Sequence, residues 1–383
     1  MSLDLVQIPA RGVRSEPCTI VGRCVDFKPT LERPHPDFTH LDCAFTRFPL
    51  EQFPLALQLY VGRIRYLNDP KTILHVSGWL IGQGSYGSVW VAQYDQIVCA
   101  VKFFLNEEDF MKEAMALWKT IGIAQTVSLH GICFHQKFND NVRRNGIVMD
   151  YVNGPTLERV NLSAVERDKK IEFARSVGIQ LYKILITFEI PSPNREGPLV
   201  HGDVTARNVL LEEPFLKVID FGSAGVDGRL SSPFITARPN RAPEVILNQT
   251  NHWANGNEVV RYSRKVDVWG AAALLFQLVT GQYFNYAESD EYAITAIVAR
   301  IGLPSAEYLR RVVNSGPYFE ITGDVVKLRY GLQETPAFRS LEANVSCPQL
   351  LSFFKSVFIW DPDKRPTAAQ CFQHPFFSTN QLT

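Results

Sequence analysis

From about Thr72 the chain alternates apolar and polar positions with the period of a strand. ILHVSGWLIG and SVWVAQYDQIVCAVKFF read as β-strands around a glycine-rich turn. EEDFMKEAMALWKTIG changes to helical spacing, with Phe110, Ala114, Leu117 and Trp118 on one face and acids in the first turn, where they complement the helix dipole. A strand pair is expected next, in TVSLHGICFH and GIVMDYV. Beyond Gly154 helices dominate, over roughly 164–189, 267–280, 289–301 and 347–358. A strand-rich part followed by a helical part predicts an α+β fold of two lobes, a small lobe over 75–153 and a large lobe over 154–383, with the hinge near Asp150 to Gly154.

Residues 1–74 break this texture. Pro9, Pro17, Pro29, Pro34, Pro36, Pro49 and Pro54 remove donors and block helix interiors, so much of this extension is expected to be extended or loop-like. Phe45, Phe48, Phe53, Leu55, Leu57, Leu59 and Tyr60 suggest that its second half packs on something. No motif assigns it a role.

Composition removes several function classes. The 383 residues are 46% apolar, enough for a large core, and 39 basic residues balance 39 acidic ones. Zero net charge gives no global field favouring nucleic acid or an acidic membrane surface. The strongest apolar segment, GAAALLFQLV, is too short to span a bilayer, and the start MSLDLVQIPARGVR has no sustained apolar stretch. Seven scattered cysteines without a C-x-x-C pair read as reduced thiols, which fits the cytoplasm or nucleus, and the sequons at Asn161, Asn248 and Asn344 then read as chance matches.

The chemistry begins at Gly82-Gln83-Gly84-Ser85-Tyr86-Gly87-Ser88-Val89. Glycines at these offsets let a backbone approach a polyphosphate closely. The same spacing occurs in dinucleotide sites, but there it runs from a strand into a helix, whereas here strands flank it on both sides. Lys102 follows on an apolar strand. It is either an edge lysine reaching water or a cation held against phosphates; the second use needs an orienting carboxylate, best supplied by Glu113, with Glu107 and Glu108 as alternatives. In His201-Gly202-Asp203-Val204-Thr205-Ala206-Arg207-Asn208, an aspartate and an asparagine five apart offer a proton acceptor and a neutral metal ligand. Asp220-Phe221-Gly222 adds the charged oxygen that Mg²⁺ prefers, and Ala242-Pro243-Glu244 follows.

This ordered set of G-x-G-x-x-G-x-V, V-x-A-V-K, H-x-D-x-x-x-x-N, D-F-G and A-P-E resembles the signature of the eukaryotic protein kinases. The resemblance continues through Asp267-Val268-Trp269-Gly270 and Asp361-Pro362-Asp363-Lys364-Arg365-Pro366, covering about residues 76–378. It implies a two-lobed kinase fold, protein substrates, ATP and Mg²⁺, with phosphate passing most readily to serine or threonine. Asp203 would orient the substrate hydroxyl and accept its proton, and Lys102 paired with Glu113 would hold the phosphates. Asn208 and Asp220 would bind Mg²⁺. Gly82, Gly84, Ser85 and Gly87 would cover the phosphates. Ile81, Val89, Ala100 and Leu210 would sandwich adenine, the backbones of Asp150 and Val152 would bond its edge, and Met149 would guard the pocket. Asp267 would brace the catalytic loop, and Glu244 would pair with Arg365.

Arg241 before A-P-E resembles the proline-directed superfamily, where that arginine shapes the pocket for the residue after the phosphoacceptor. Asp290 to Ile294, Ile301-Gly302-Leu303-Pro304 and Tyr308-Leu309 are similar to the homeodomain-interacting and dual-specificity tyrosine-regulated kinases. Divergence elsewhere suggests a virus-encoded or otherwise fast-evolving relative. Four positions depart from the pattern. Gly202 replaces the arginine that receives a phosphorylated activation loop, which implies activity without loop phosphorylation. Thr205 replaces a lysine that touches the γ-phosphate, while Arg207 matches the cation of tyrosine kinases and counts among the catalytic candidates. Phe234 removes an autophosphorylated tyrosine. Ala237 falls where a Ser or Thr bonds the catalytic aspartate, and Thr236 is the candidate substitute. Residues 248–262 read as an exposed insert with a possible docking use. Gly202, Thr205 and Ala237 also support a rival reading, a pseudokinase scaffold, against which stand Lys102, Asp203, Asn208 and Asp220.

Overall fold

The computed structural model describes residues 41–47, 72–84, 87–136, 143–190, 196–228, 235–247, 261–285, 289–312, 314–329 and 338–378. Ser85, Phe234 and most of the 248–262 insert lie outside these residues.

Six strands form the small lobe: β1 (Leu41–Arg47), β2 (Thr72–Gly84), β3 (Gly87–Tyr94), β4 (Ile97–Phe104), β5 (Leu129–Gln136) and β6 (Arg143–Asp150). They close into a barrel in the order β1-β2-β3-β4-β6-β5. One helix, α1 (Glu107–Lys119), packs against this sheet; Asn106 caps it by accepting the Asp109 N–H at 2.8 Å, and Glu107, Glu108 and Asp109 fill its first turn.

The strand period of two divides β4 between two cores. Cys99, Val101 and Phe103 join Leu74, Val76, Ala92, Tyr94, Cys133 and Val148 in one cluster. Ala100 and Phe104 belong to the larger core that runs through α1 into the rest of the molecule. Lys102 therefore shares the face of Ala100 and points toward the interlobe side.

Beyond residue 150 the chain is mainly helical. α2 (Arg167–Glu189) and α3 (Lys265–Thr280) form its centre, and α3 is buried from Val266 to Phe276 without interruption. α4 (Asp290–Ile301), α5 (Ala306–Arg311), α6 (Leu341–Asn344), α7 (Pro348–Val357) and α8 (Ala368–Phe372) surround them. Short strands β7 (Leu199–Val200), β8 (Val209–Glu212), β9 (Phe215–Val218) and β10 (Gly225–Val226) flank the loops that hold Asp203, Asn208 and Asp220 at the junction with the small lobe. A hairpin of β11 (Phe319–Thr322) and β12 (Val325–Leu328) follows α5. No helix among the described residues is long and apolar enough to cross a membrane.

The expected α+β division is present, with one correction. β1 lies inside the stretch set apart as an extension, yet it pairs with β2 from Leu41↔Val76 to Phe45↔Thr72 and with β5 from Ala44↔Phe134 to Arg47↔Gly131. Part of the extension is thus a member of the small-lobe barrel, because its ladder satisfies both otherwise open strand edges.

Candidate active site

Lys102 and Glu113 come together because β4 and α1 are joined by a tight connection that turns the helix onto the sheet. Lys102 Nζ donates to Glu113 Oε2 at 2.7 Å and to Asp220 Oδ1 at 2.9 Å. Glu107 and Glu108 are exposed at the start of α1, so neither competes. Burial alone would pull the Lys102 ammonium down, but Glu113 and Asp220 outweigh it and hold it above its ordinary range. Burial likewise works against the Asp220 carboxylate, and Lys102 reverses it, keeping the group ionised. The Asp220 side chain retains 40% of its exposure, so an oxygen remains open to the cleft.

The loop from His201 to Asn208 is fixed from below. Asp267, near the start of α3, accepts the His201 N–H at 2.7 Å and the Gly202 N–H at 2.9 Å. Gly202 takes φ 76°, and a Cβ there would sit 2.6 Å from the Ser223 carbonyl oxygen, so the turn requires glycine. Asn208 Nδ2 donates to Asp203 Oδ2 at 2.7 Å and to the Asp203 carbonyl at 3.0 Å. Burial pushes the Asp203 carboxyl up to about 6, despite bonds from Ala237 and Asn208 that favour its ionised form.

Thr236 does not substitute for the missing hydroxyl in the expected way. Its Oγ1 donates to the Gly202 carbonyl at 2.9 Å, while the main-chain N–H of Ala237 donates to Asp203 Oδ1 at 2.7 Å. The cause is backbone: Thr236 has φ 62°, rare for a β-branched residue, which turns the next amide toward the aspartate. Arg241 holds this conformation by donating to the Thr236 carbonyl from Nε at 3.1 Å and from Nη2 at 3.0 Å. Asp290 at the start of α4 anchors Arg238 at 3.3 Å and Arg241 at 3.5 Å. A main-chain donor carries no side-chain signature, so the sequence could not disclose this role for Ala237.

Arg207 makes its ion pair with Glu158, from Nε to Oε1 at 2.8 Å, and not with Asp203 or Asp220. Its side chain is 67% exposed, and Glu158 also accepts from the Tyr283 hydroxyl at 3.0 Å. Thr205 is buried.

A lysine, three acids and an asparagine thus meet between two lobes, and the protein kinase domain family matches residues 76–377. The chain belongs to the protein kinase family. Among curated relatives it is 26% identical over 312 residues to the DYRK-family kinase pom1 of Schizosaccharomyces pombe, covering 79% of this chain and 27% of that one. It is 27% identical over 334 residues to the dual specificity tyrosine-phosphorylation-regulated kinase mbk-2 of Caenorhabditis elegans, covering 77% of this chain and 38% of that one. The chain therefore spans well under half the length of these relatives.

Membership implies ATP as substrate and Mg²⁺ as the usual cofactor, and the kinase cleft fits both. Ala100 and Met149 are buried opposite each other on β4 and β6, and Ile81, Val89 and Leu210 are partly buried against the same core. The Asp150 amide already donates to the Ser128 carbonyl at 3.1 Å, which leaves only its carbonyl to address a ligand; Val152 follows two residues later. Gly82 and Gly84 end β2 and Gly87 opens β3, where a Cβ at Gly87 would meet the Phe103 carbonyl oxygen at 1.9 Å. Asn208 spends its Nδ2 on Asp203, which reserves Oδ1, and Asp220 has an open oxygen. Two oxygen donors of this kind suit a hard cation that completes its shell with phosphate and water.

Glu244 and Arg365 lie deeper in the kinase. Arg365 Nη1 and Nη2 meet Glu244 Oε1 and Oε2 at 2.7 and 2.9 Å, and the arginine side chain is fully buried.

Proposed function

We propose that the chain transfers the γ-phosphate of ATP to serine or threonine hydroxyls of protein substrates, with Asp203 orienting the hydroxyl and accepting its proton. The observation that carries this reading is the convergence of Lys102, Glu113 and Asp220 with the Asp203–Asn208 pair at one cleft. Phosphoryl transfer is mostly positioning and charge neutralisation, and these side chains supply both. Lys102, locked by Glu113, presents its charge to the phosphates. Asn208 and Asp220 would hold Mg²⁺, which supplies neutralisation of the phosphate oxygens when bound. Asp203, fixed on both oxygens by Ala237 and Asn208, is ionised at neutral pH and accepts the hydroxyl proton.

Pairing of Arg207 with Glu158 favours serine or threonine over tyrosine, because the charge that tyrosine kinases use there is already engaged. Two N–H groups of Arg241, on Nε and Nη2, occupy the Thr236 carbonyl and so deny that acceptor to a substrate amide directly after the phosphoacceptor; proline has no such amide. We accordingly expect proline-directed phosphorylation. Free thiols at Cys99, Cys133, Cys347 and Cys371 favour action in the cytoplasm or nucleus.

Radiolabel transfer from ATP to a degenerate peptide library, compared between wild type and Asp203→Ala, tests the reading. Labelled phosphoserine and phosphothreonine before proline, lost in the variant, is expected. Equal label from both proteins would leave the pseudokinase scaffold as the better account.

A further inference from the structure

Behind the hinge lies a hydrogen-bonded line that the reaction above does not use. His130, in β5, stands between Asp150 at the end of β6 and Tyr94 at the end of β3. Its Nε2 is 2.8 Å from Asp150 Oδ1, and its Nδ1 is 3.0 Å from the Tyr94 hydroxyl. The Tyr94 ring meets the imidazole edge-on at 5.9 Å. The other Asp150 oxygen accepts the Ser128 N–H at 2.8 Å and lies 4.0 Å from Lys217 Nζ. Lys217 is in β9, directly opposite Leu210 in the β8–β9 ladder. The Asp150 carboxylate thus meets His130 of β5, with Tyr94 of β3 behind it, and the Ser128 amide, while Lys217 of β9, which also donates to the Thr126 carbonyl, approaches from across the lobe junction.

Every member of this line has a matched role. A carboxylate only accepts, so Nε2 carries the proton; in the neutral ring Nδ1 then accepts from the tyrosine hydroxyl. Burial would raise the Asp150 carboxyl, but the bonds from His130 and Ser128 hold it below its ordinary range, so the acceptor is charged and the bonds are the strong kind.

Position gives the line its consequence. Asp150 is the last residue of β6, and residues 151–153 belong to no regular element, so strand pairing fixes nothing beyond it. Its amide is spent on Ser128, and it directly follows Met149, which packs in the same core as Ala100 and Leu210. Clamping the side chain therefore adds a restraint to the Cys99 pairing and the Ser128 bond at the point where the strand ends. We propose that His130 is a positioning residue for the nucleotide: by holding Asp150 against Tyr94 it fixes the hinge backbone that addresses the adenine edge. This rests on the kinase reading of the cleft.

The test is calorimetric binding of a non-hydrolysable ATP analogue with Mg²⁺ to full-length wild type, His130→Ala, His130→Gln and Tyr94→Phe, alongside steady-state transfer kinetics. His130→Ala should raise the Kd about three- to tenfold, the net scale of one ordinary hydrogen bond, because His130 acts through Asp150 and does not touch the nucleotide. Its KM for ATP should rise more than its kcat falls. Glutamine places a donor near the Nε2 position and should restore most of the affinity. Tyr94→Phe keeps the ring contact and should weaken binding by a smaller factor. Wild-type affinity in His130→Ala, or a loss that His130→Gln does not recover, overturns the proposal. Should His130→Ala fail to fold, unchanged affinity in Tyr94→Phe overturns it instead. Because binding is read separately from transfer, an inactive wild type whose affinity still depends on His130 would sink the kinase reading alone.

Discussion

Replacing Arg365 by methionine should cost this protein about 3–5 kcal/mol of stability, because it strands the buried Glu244 carboxylate. The arginine side chain is fully buried, and the glutamate side chain is 9% exposed. All four Nη donors are used: two on Glu244, one on the Lys265 carbonyl at 2.8 Å and one on the Ile359 carbonyl at 3.0 Å. The guanidinium also lies 4.9 Å over the Trp269 ring. Methionine fills the volume but leaves the Glu244 charge without its partner and removes the guanidinium bonds to the Lys265 and Ile359 carbonyls. Natural domains have only about 5–15 kcal/mol to lose, so the effect should dominate the unfolding curve. In urea, with a slope near 3 kcal/mol/M, the midpoint should fall by roughly 1–2 M. The double variant Glu244→Met with Arg365→Met removes both charges and should be more stable than Arg365→Met alone, although the lost bonds to the Lys265 and Ile359 carbonyls keep it below wild type. A single variant within about 0.5 kcal/mol of wild type would refute the reasoning, as would a double variant less stable than the single one.

Other outcomes follow from the same geometry. Lys102→Ala should lower kcat by about 10²-fold or more in a protein that still folds, although losing the partner of the buried Glu113 should also lower its unfolding midpoint; transfer at the wild-type rate would show the wrong lysine was chosen. Asp203, raised to about 6, is protonated below that pH and ionised above it. The kcat/KM profile should thus be flat at neutral pH and fall about tenfold per unit on the acid side of about 6, and a fall beginning near 4 would contradict the burial of Asp203. Gly202 leaves no arginine to receive a loop phosphate, and Arg241 and Asp290 already hold Thr236, so phosphatase-treated protein should keep full activity in a transfer assay.

The parts legible in the sequence were those whose chemistry is local. Lys102, Asp203, Asn208 and Asp220 stand in short motifs whose spacing reflects one loop or strand, and the helix at 107–119 announced itself through its apolar face and acidic first turn. β1 is not legible because Leu41, Cys43 and Phe45 alternate for only three steps among prolines, and its partners lie up to about 90 residues away. The β11–β12 hairpin did carry a signal, the two-residue Gly323-Asp324 turn between β-branched runs, and the helical pattern around it obscured it. Ala237 was unreadable for a different reason: its donor is main chain, aimed by the left-handed Thr236 before it. His130 and Asp150 are 20 residues apart, and only the β5–β6 pairing joins them.

A crystal of the full chain soaked with Mg²⁺ and a non-hydrolysable ATP analogue tests the central claim most directly. The account predicts adenine against Ala100 and Leu210, phosphate oxygens on the Lys102 amine, and the cation shared by Asn208 and Asp220. A triphosphate lying away from these groups, or a cleft closed by the protein's own side chains, would contradict it.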